Sequence, residues 1–270
     1  MGKNTEAYRQ ISEVLAHSQG DADVFVDILR KEKIQHLSFS QITTVEFCEY
    51  RYHLQYIEMR ELEPTPTYFA KGKAMHELIA DTYRGMQNGN GNEAFSPNER
   101  ISDKMDAEGE RHLMNAYRVH REHMWMGYEI EAVEHPFVME IEAGLLPMVG
   151  VIDLVLRQNG DFTLVDHKTG RDFYPYDVLQ VAIYAKHIEG AHAGKSCRLF
   201  YDHYRWVNNL ERIRKPAFQR TEVNAELSDW GEYLERIREG AVKIERLREG
   251  GTPTQNGKCF MCPYRGMCWG

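Results

Sequence analysis

Asn159-Gly160 joins two apolar runs, Val149 to Leu156 and Phe162 to Val165; the first carries Asp153 and the second leads straight into Asp166 and Lys168. An Asn-Gly pair between strand-like runs most often forms a two-residue type I′ turn, in which both residues take positive φ. In such a turn Gln158 pairs with Asp161, and counting outward sets Asp153 directly opposite Asp166. Opposed residues on antiparallel strands have Cβ atoms about 4.5 to 5.5 Å apart, and Lys168, two residues past Asp166, points the same way. Two carboxylates so close in apolar strands repel each other unless positive charge lies between them. A hard cation such as Mg²⁺ or Mn²⁺ prefers oxygen ligands of this kind, so the pattern predicts a divalent-ion site with an ammonium beside it. An ordinary cross-strand Asp–Lys ion pair is the plainer alternative, and a three-residue Asn159-Gly160-Asp161 loop would slip the register by one.

At 270 residues the chain can bury a full core, either as one large domain or as a core with appended helices. No apolar stretch approaches the ~18 residues that suggest a bilayer span, and Met1-Gly2-Lys3-Asn4 lacks the segments of a signal peptide. The expectation is a cytoplasmic protein with no membrane partner. A net charge of −8 argues against coating nucleic acid by bulk electrostatics, although an acidic enzyme can still concentrate positive charge locally. Arg198, Arg205, Arg212, Arg214, Lys215 and Arg220 could supply it, or could simply form a solvated face. Cytoplasmic cysteines are not expected to form disulfides. Cys259, Cys262 and Cys268 make a C-x2-C-x5-C cluster that suggests a metal centre, with Cys48 far upstream, while Cys197 in a strand-like run reads as a small core residue.

Periodicity predicts helices over Thr5 to Ala16 and Asp21 to Lys33, then a cap at Ser38-Phe39-Ser40 leading into a helix through Thr43, Phe47, Cys48, Tyr52 and Tyr56. Pro64 and Pro66 break the chain before a helix from Tyr68 to Met86, which carries His76 and ends at Asn88-Gly89-Asn90-Gly91. A polar helix is expected from Ser102 to Tyr128, then strands over Phe137 to Ala143, Pro147 to Arg157 and Phe162 to Lys168. Tyr176 to Ile188 reads as a helix, Ser196 to Val207 as a strand with Leu210 to Ile213 as its partner, and Glu222 to Arg248 as a long charged helix. Strands followed by a crossover helix and another strand imply an α/β sheet covered on both faces. The organisation expected is a helical region over 1–135 carrying Cys48 and His76, a core over 136–221, and a C-terminal helix with the cysteine cluster over 222–270.

Several motifs in order resemble the PD-(D/E)XK nuclease superfamily, and within it the RecB-like exonucleases with an iron–sulfur cluster, of the CRISPR-associated and AddB type. They are Gly72-Lys73-Ala74-Met75-His76, Gly150-Val151-Ile152-Asp153, Asp166-His167-Lys168, Gln180-Val181-Ala182-Ile183-Tyr184, and Cys48 with Cys259, Cys262 and Cys268. The chain departs in having Asp166 where many relatives have Glu, and Glu49 after Cys48 where Pro is common. The resemblance implies a restriction-endonuclease-like mixed sheet flanked by helices, a helical N-terminal part and a C-terminal iron–sulfur segment. It also implies that His76, Asp153, Asp166 and the backbone carbonyl of His167 bind one or two Mn²⁺ or Mg²⁺ ions. Lys168 would act on the attacking water, and Gln180 and Tyr184 would touch DNA or support the metal site.

Four thiolates suit tetrahedral Zn²⁺ or a 4Fe-4S cluster. A ligand more than 200 residues upstream matches the iron–sulfur nucleases, with zinc as the alternative. The activity so implied is metal-dependent exonucleolytic hydrolysis of DNA, single-stranded or with free ends, in phage or prokaryotic recombination, repair or spacer processing. With no G-x4-GK[ST] phosphate loop, unwinding would fall to a helicase or recombinase partner. The opposing reading is a non-catalytic nucleic-acid-binding or redox iron–sulfur protein on a nuclease-like fold. Oligomeric state, digestion polarity and DNA against RNA stay open.

Overall fold

The structure, a computed structural model, describes residues 3–62, 67–89, 100–101, 105–193, 195, 197–224, 229–257 and 259–268. Pro64, Pro66, Asn90, Gly91, Ser102 and Ser196, which figure in the expectations above, lie outside them. Two compact units divide the chain, one made of Met1–Pro64, Pro136–Gly150 and Glu226–Gly270, the other of Thr65–His135 and Val151–Ala225. No helix among the described residues is long and apolar enough to cross a membrane.

A mixed sheet is the backbone of the fold. Its strands are β1 (Leu37–Ser38), β2 (Glu129–Met139), β3 (Met148–Gln158), β4 (Asp161–Gly170), β5 (Cys197–Arg205) and β6 (Phe218–Val223), in the order β1-β3-β4-β5-β6 with β2 also paired to β3. The β3-β4 pair is antiparallel with Gln158 opposite Asp161, and Asn159 and Gly160 take φ of +54° and +87°. The two-residue turn is therefore the one formed, and no register slip occurs. β4 and β5 run parallel, joined by the crossover helix α7 (Val178–Ala191), while β5 and β6 are antiparallel.

In the first unit the helices are α1 (Lys3–Ser18), α2 (Ala22–Lys31), α3 (Phe39–Phe47), α4 (Glu49–Tyr52), α8 (Trp230–Arg248) and the short α9 (Arg265–Cys268). Ser38 caps α3 as expected, its hydroxyl accepting the Gln41 N–H at 3.2 Å. The predicted continuous helix through Cys48 is broken, because Cys48 is fully extended at φ −169° and ψ 120°. A π-helical turn over His53–Ile57 then follows α4. Ile11, Phe25 and Leu29 pack with Val138 and Val149 to form this unit's core.

The second unit holds α5 (Thr67–Gln87) and α6 (Ala107–Glu122), whose apolar faces close over Leu154, Leu156, Val165, Phe200 and Tyr204. Asp106 caps α6 by accepting the Gly109 N–H at 2.7 Å, so the helix is shorter than the Ser102 to Tyr128 expected. Strand β2 starts eight residues before the expected Phe137; its charged, half-exposed first half is that of a peripheral strand, a place that also tolerates Pro136.

Two further expectations fail near the end of the sheet. Leu210–Arg212 is a 3₁₀ turn, and β5 instead pairs with β6, which occupies the first residues of the helix expected from Glu222. Cross-strand charge explains the choice. Arg198 grips Glu222 at 2.8 and 3.0 Å, and Arg220 donates two 2.7 Å bonds to the buried Asp202. Trp125 adds a 2.9 Å bond to the same carboxylate, with its ring 3.7 Å from the Arg220 guanidinium. Two of the six basic residues considered for a nucleic-acid surface are thus committed to carboxylates within the sheet. A third, Lys215, pairs with Asp172 at 3.4 Å.

Because Gly160 sits at φ +87°, a β-branched side chain there is strained whatever space surrounds it. Gly160→Val should lower unfolding stability by about 1–3 kcal/mol, read as a fall in the urea midpoint at unchanged m-value.

Candidate active site

Strand β4 presents Asp166 and Lys168 to the face covered by α7, while Val165 and His167 face the side chains of α5 and α6. Asp153 lies one step beyond Leu154–Val165, the last pair of the regular β3-β4 ladder. There a side chain replaces the main chain as acceptor: Asp153 Oδ2 takes the His167 N–H at 2.7 Å. The two aspartates are thus neighbours across the hairpin, as the turn predicted.

Helix α7 completes the grip. Asp177 caps it, accepting the Leu179 N–H at 3.0 Å, and the four-residue spacing sets Gln180 and Tyr184 on one helix face. Gln180 Nε2 donates to Asp166 Oδ1 at 2.7 Å and to Tyr184 Oη at 2.7 Å, and the Tyr184 hydroxyl reaches the same Asp166 oxygen at 3.3 Å. Gln180 Oε1 in turn accepts a hydrogen bond from Lys168 Nζ at 2.8 Å. The amine stands 2.6 Å from Asp166 Oδ2, a buried oxygen with no aligned hydrogen bond. From α5, His76 brings Nδ1 to 3.5 Å from Asp153 Oδ2.

Burial pushes the Asp153 carboxyl up to about 6, and the Asp166 charge adds to it against the opposing pull of His76, the His167 N–H and Lys168. Behind the carboxylates lie uncharged rings. Burial first, then His120 and His76, hold the His167 imidazole well below its ordinary value, and both of its ring nitrogens lack partners. His120 is likewise lowered, to about 3, with Nδ1 2.9 Å from Tyr204 Oη.

Among the described residues no three His, Cys, Asp or Glu side chains converge as a ready-made metal site. Asp153 faces His76 and Asp166 faces Lys168 instead. The donor set nevertheless suits a hard cation: two adjacent carboxylates, one with an oxygen lacking a hydrogen bond and the other held above its ordinary pKa.

Cys48, Cys259, Cys262 and Cys268 all belong to the first unit. The extended conformation of Cys48 turns its thiol to 3.9 Å from the Thr254 carbonyl. Glu49, where Pro is common in the family the chain resembles, accepts the Thr254 N–H at 2.9 Å and its hydroxyl at 2.7 Å, and pairs with Arg246 at 2.7 Å. Burial raises the Cys268 thiol, and Cys262, Cys48 and Cys259 raise it further, but among the described residues no three cysteines are gathered closely enough to hold a metal ion. All are unbridged and half-exposed. Cys197 is apart from them; burial pushes its thiol up to about 12, as suits an inert packed residue.

Sequence reasoning missed Tyr201, which pairs with Asp166 across the β4-β5 ladder and holds its ring 5.4 Å from Lys168 Nζ. An aromatic residue inside an apolar strand carries no local sign that a lysine of the candidate site lies over it. Only the parallel register reveals the contact.

The chain belongs to the PD-(D/E)XK nuclease superfamily, whose family model matches residues 36–269. Nucleases of this superfamily typically use Mg²⁺ or Mn²⁺. A protein of Eubacterium rectale, named "putative exonuclease", shares the fold: TM-score 0.56 at 15% identity, over 87% of this chain and 90% of that one. A second solved structure, SSO0001, is 14% identical over 86% of this chain and 98% of its own; its TM-score of 0.32 bears no weight. No curated protein matches the chain.

The raised Asp153 carboxyl links stability to pH. Its proton stays on in the native state after the unfolded chain has released its own, so the native state is relatively favoured below about pH 4 and loses that advantage as pH rises to about 6. At about 1.36 kcal/mol per pKa unit the effect reaches at most about 3 kcal/mol. In metal-free protein Asp153→Asn should therefore raise unfolding free energy by up to about 3 kcal/mol at pH 8 and by only about 1 kcal/mol near pH 4.5. Urea denaturation at both pH values checks this, and an equal effect at both would contradict burial as the cause.

Proposed function

We propose that the protein is a metal-dependent exonuclease that hydrolyses phosphodiester bonds from ends of single-stranded DNA, a RecB-like enzyme of the iron–sulfur AddB and CRISPR-associated type. The observation that carries this reading is the Asp166–Lys168–Gln180 triangle, closed by Tyr184 and set across the hairpin from Asp153. On this reading Asp153, Asp166, His76 and the His167 carbonyl hold one or two Mn²⁺ or Mg²⁺ ions. A divalent ion there supplies charge for the scissile phosphate and lowers the pKa of the attacking water.

Lys168 orients that water, helps to take its proton and stabilises the developing charge. Gln180 grips the amine with its oxygen and the Asp166 carboxylate with its nitrogen, so one side chain fixes the spacing of both. Tyr184 is buried and turned to Asp166, which suits support of the site rather than contact with the DNA backbone. The name of the Eubacterium rectale protein agrees with exonuclease chemistry. The setting we infer is recombination, repair or spacer processing, with a helicase or recombinase opening duplex DNA.

Cys48, Cys259, Cys262 and Cys268 are assigned to a 4Fe-4S cluster, with Zn²⁺ as the alternative occupant. Its part is structural, tying the C-terminal segment to the α3-α4 junction where Glu49 already clamps Thr254.

End-labelled single-stranded DNA with Mn²⁺ tests the activity. The wild type should yield a ladder from one labelled end, and Asp166→Ala or Lys168→Ala should cut the rate by at least about 100-fold; binding without cleavage by the wild type would overturn the reading. Because imidazole suits Mn²⁺ better than Mg²⁺, matched titrations should give the higher rate with manganese, and equal rates would remove His76 from the ligand set. Cys262→Ser should abolish the brown absorbance and lower stability. A colourless wild type, equal in stability to the variant, would refute the cluster.

A further inference from the structure

A cavity of about 470 Å³ opens between the segment that follows β4 and the strands β5 and β6. Tyr174, Tyr176 and Tyr201 supply aromatic surface to it, and Gln219, Thr221 and Asn224 supply amide and hydroxyl groups. The aromatic wall is fixed in place. Tyr176 packs on Tyr201 with ring centres 4.5 Å apart and hydrogen-bonds His203 Nδ1, while Phe173 stands edge-on to His203 at 4.9 Å. Tyr174 is left 57% exposed, an aromatic ring presented to solvent.

Tyr201 also connects this cavity to the chemistry, because the ring that lines it lies 5.4 Å from Lys168 Nζ. Tyr201 is thus shared between the cavity lining and the surroundings of Lys168, with its ring between them. No lysine or arginine is among the described residues that line it, and Glu222, which does, is already paired with Arg198. That lining suits a flat neutral ring with polar edges and disfavours a phosphate. Its size lies within the roughly 300–1,000 Å³ of small-ligand sites.

We propose that this cavity receives one unstacked nucleobase of the strand being cut, stacked on Tyr174 and met at its polar edge by Gln219, Thr221 and Asn224. The proposal rests on the nuclease reading and deepens it, since it gives the preference for single strands a physical origin. A base must leave its stack and its pairing partner to enter such a pocket, and that is least costly where the strand is already single. Aromatic stacking tolerates every base, so the pocket would select for strandedness rather than sequence.

The test uses single-stranded oligodeoxynucleotides, labelled at either end, in which one tetrahydrofuran abasic residue is moved stepwise away from the terminus, with Mn²⁺ present. For the wild type, KM should rise about tenfold when the abasic residue occupies one position within a few nucleotides of the cleaved bond, inside the roughly 5- to 150-fold that loss of one stacked base brings. Tyr174→Ala should raise KM on intact DNA by a similar factor and lose the further penalty at that position, while Tyr174→Phe should keep the wild-type pattern. Cleavage by the wild type that ignores the abasic residue at every position, or a penalty that persists in Tyr174→Ala, would overturn the pocket and leave the nuclease reading standing. Failure of the wild type to cut any intact DNA would instead sink that reading, and the pocket with it.

Discussion

Two carboxylates pressed together in an apolar sheet are costly to leave charged, and the second unit is arranged around that cost. Asp153 and Asp166 sit across one hairpin with desolvating neighbours, and burial, with the Asp166 charge adding to it, moves the Asp153 carboxyl upward. The surrounding partners are donors: the His167 N–H and His76 at one aspartate, Lys168, Gln180 and Tyr184 at the other. Such an environment is primed for positive charge, and a phosphodiester nuclease needs positive charge at that point. On the proposed reading, a cation bound there would relieve the same crowding.

What holds the crowding in place is local. The Asn159-Gly160 turn fixes which strand face both aspartates share, and a shift of one residue would send one of them to the α5-α6 side. Helix α7 is anchored by its Asp177 cap and by the Tyr201 hydroxyl, which donates to the Asp177 carbonyl at 2.9 Å. Tyr201 thereby braces the helix that grips Asp166 while its ring lies under Lys168. On the opposite face of the sheet the Asp202–Arg220–Trp125 cluster buries a third carboxylate, held by three hydrogen bonds of which two come from a guanidinium.

Much of this was legible in the chain because it depends on short-range geometry. A two-residue turn and period-two strands placed Asp153, Asp166 and Lys168 together, and four-residue helical spacing placed Gln180 with Tyr184. What escaped depends on distant pairing. The last two residues of β6 read locally as the start of a charged helix, and Glu222 and Arg220 meeting Arg198 and Asp202 across the ladder hold them in the strand. Cys48 lies within a helical pattern, and its extended backbone becomes intelligible from the Glu49–Thr254 clamp some 200 residues away. The aromatic cavity was hidden for the same reason, since Tyr174, Tyr201 and Thr221 come from three separate segments.

Crystals soaked in Mn²⁺ and measured at the manganese absorption edge test the central claim most directly. The account expects an anomalous peak within coordination distance of both Asp153 and Asp166, with His76 turned toward it, and no such peak in Asp166→Ala crystals. A manganese-soaked wild type with no peak there, and with Lys168 still seated against Asp166, would show that the two carboxylates need only the amine and that the cation site does not exist.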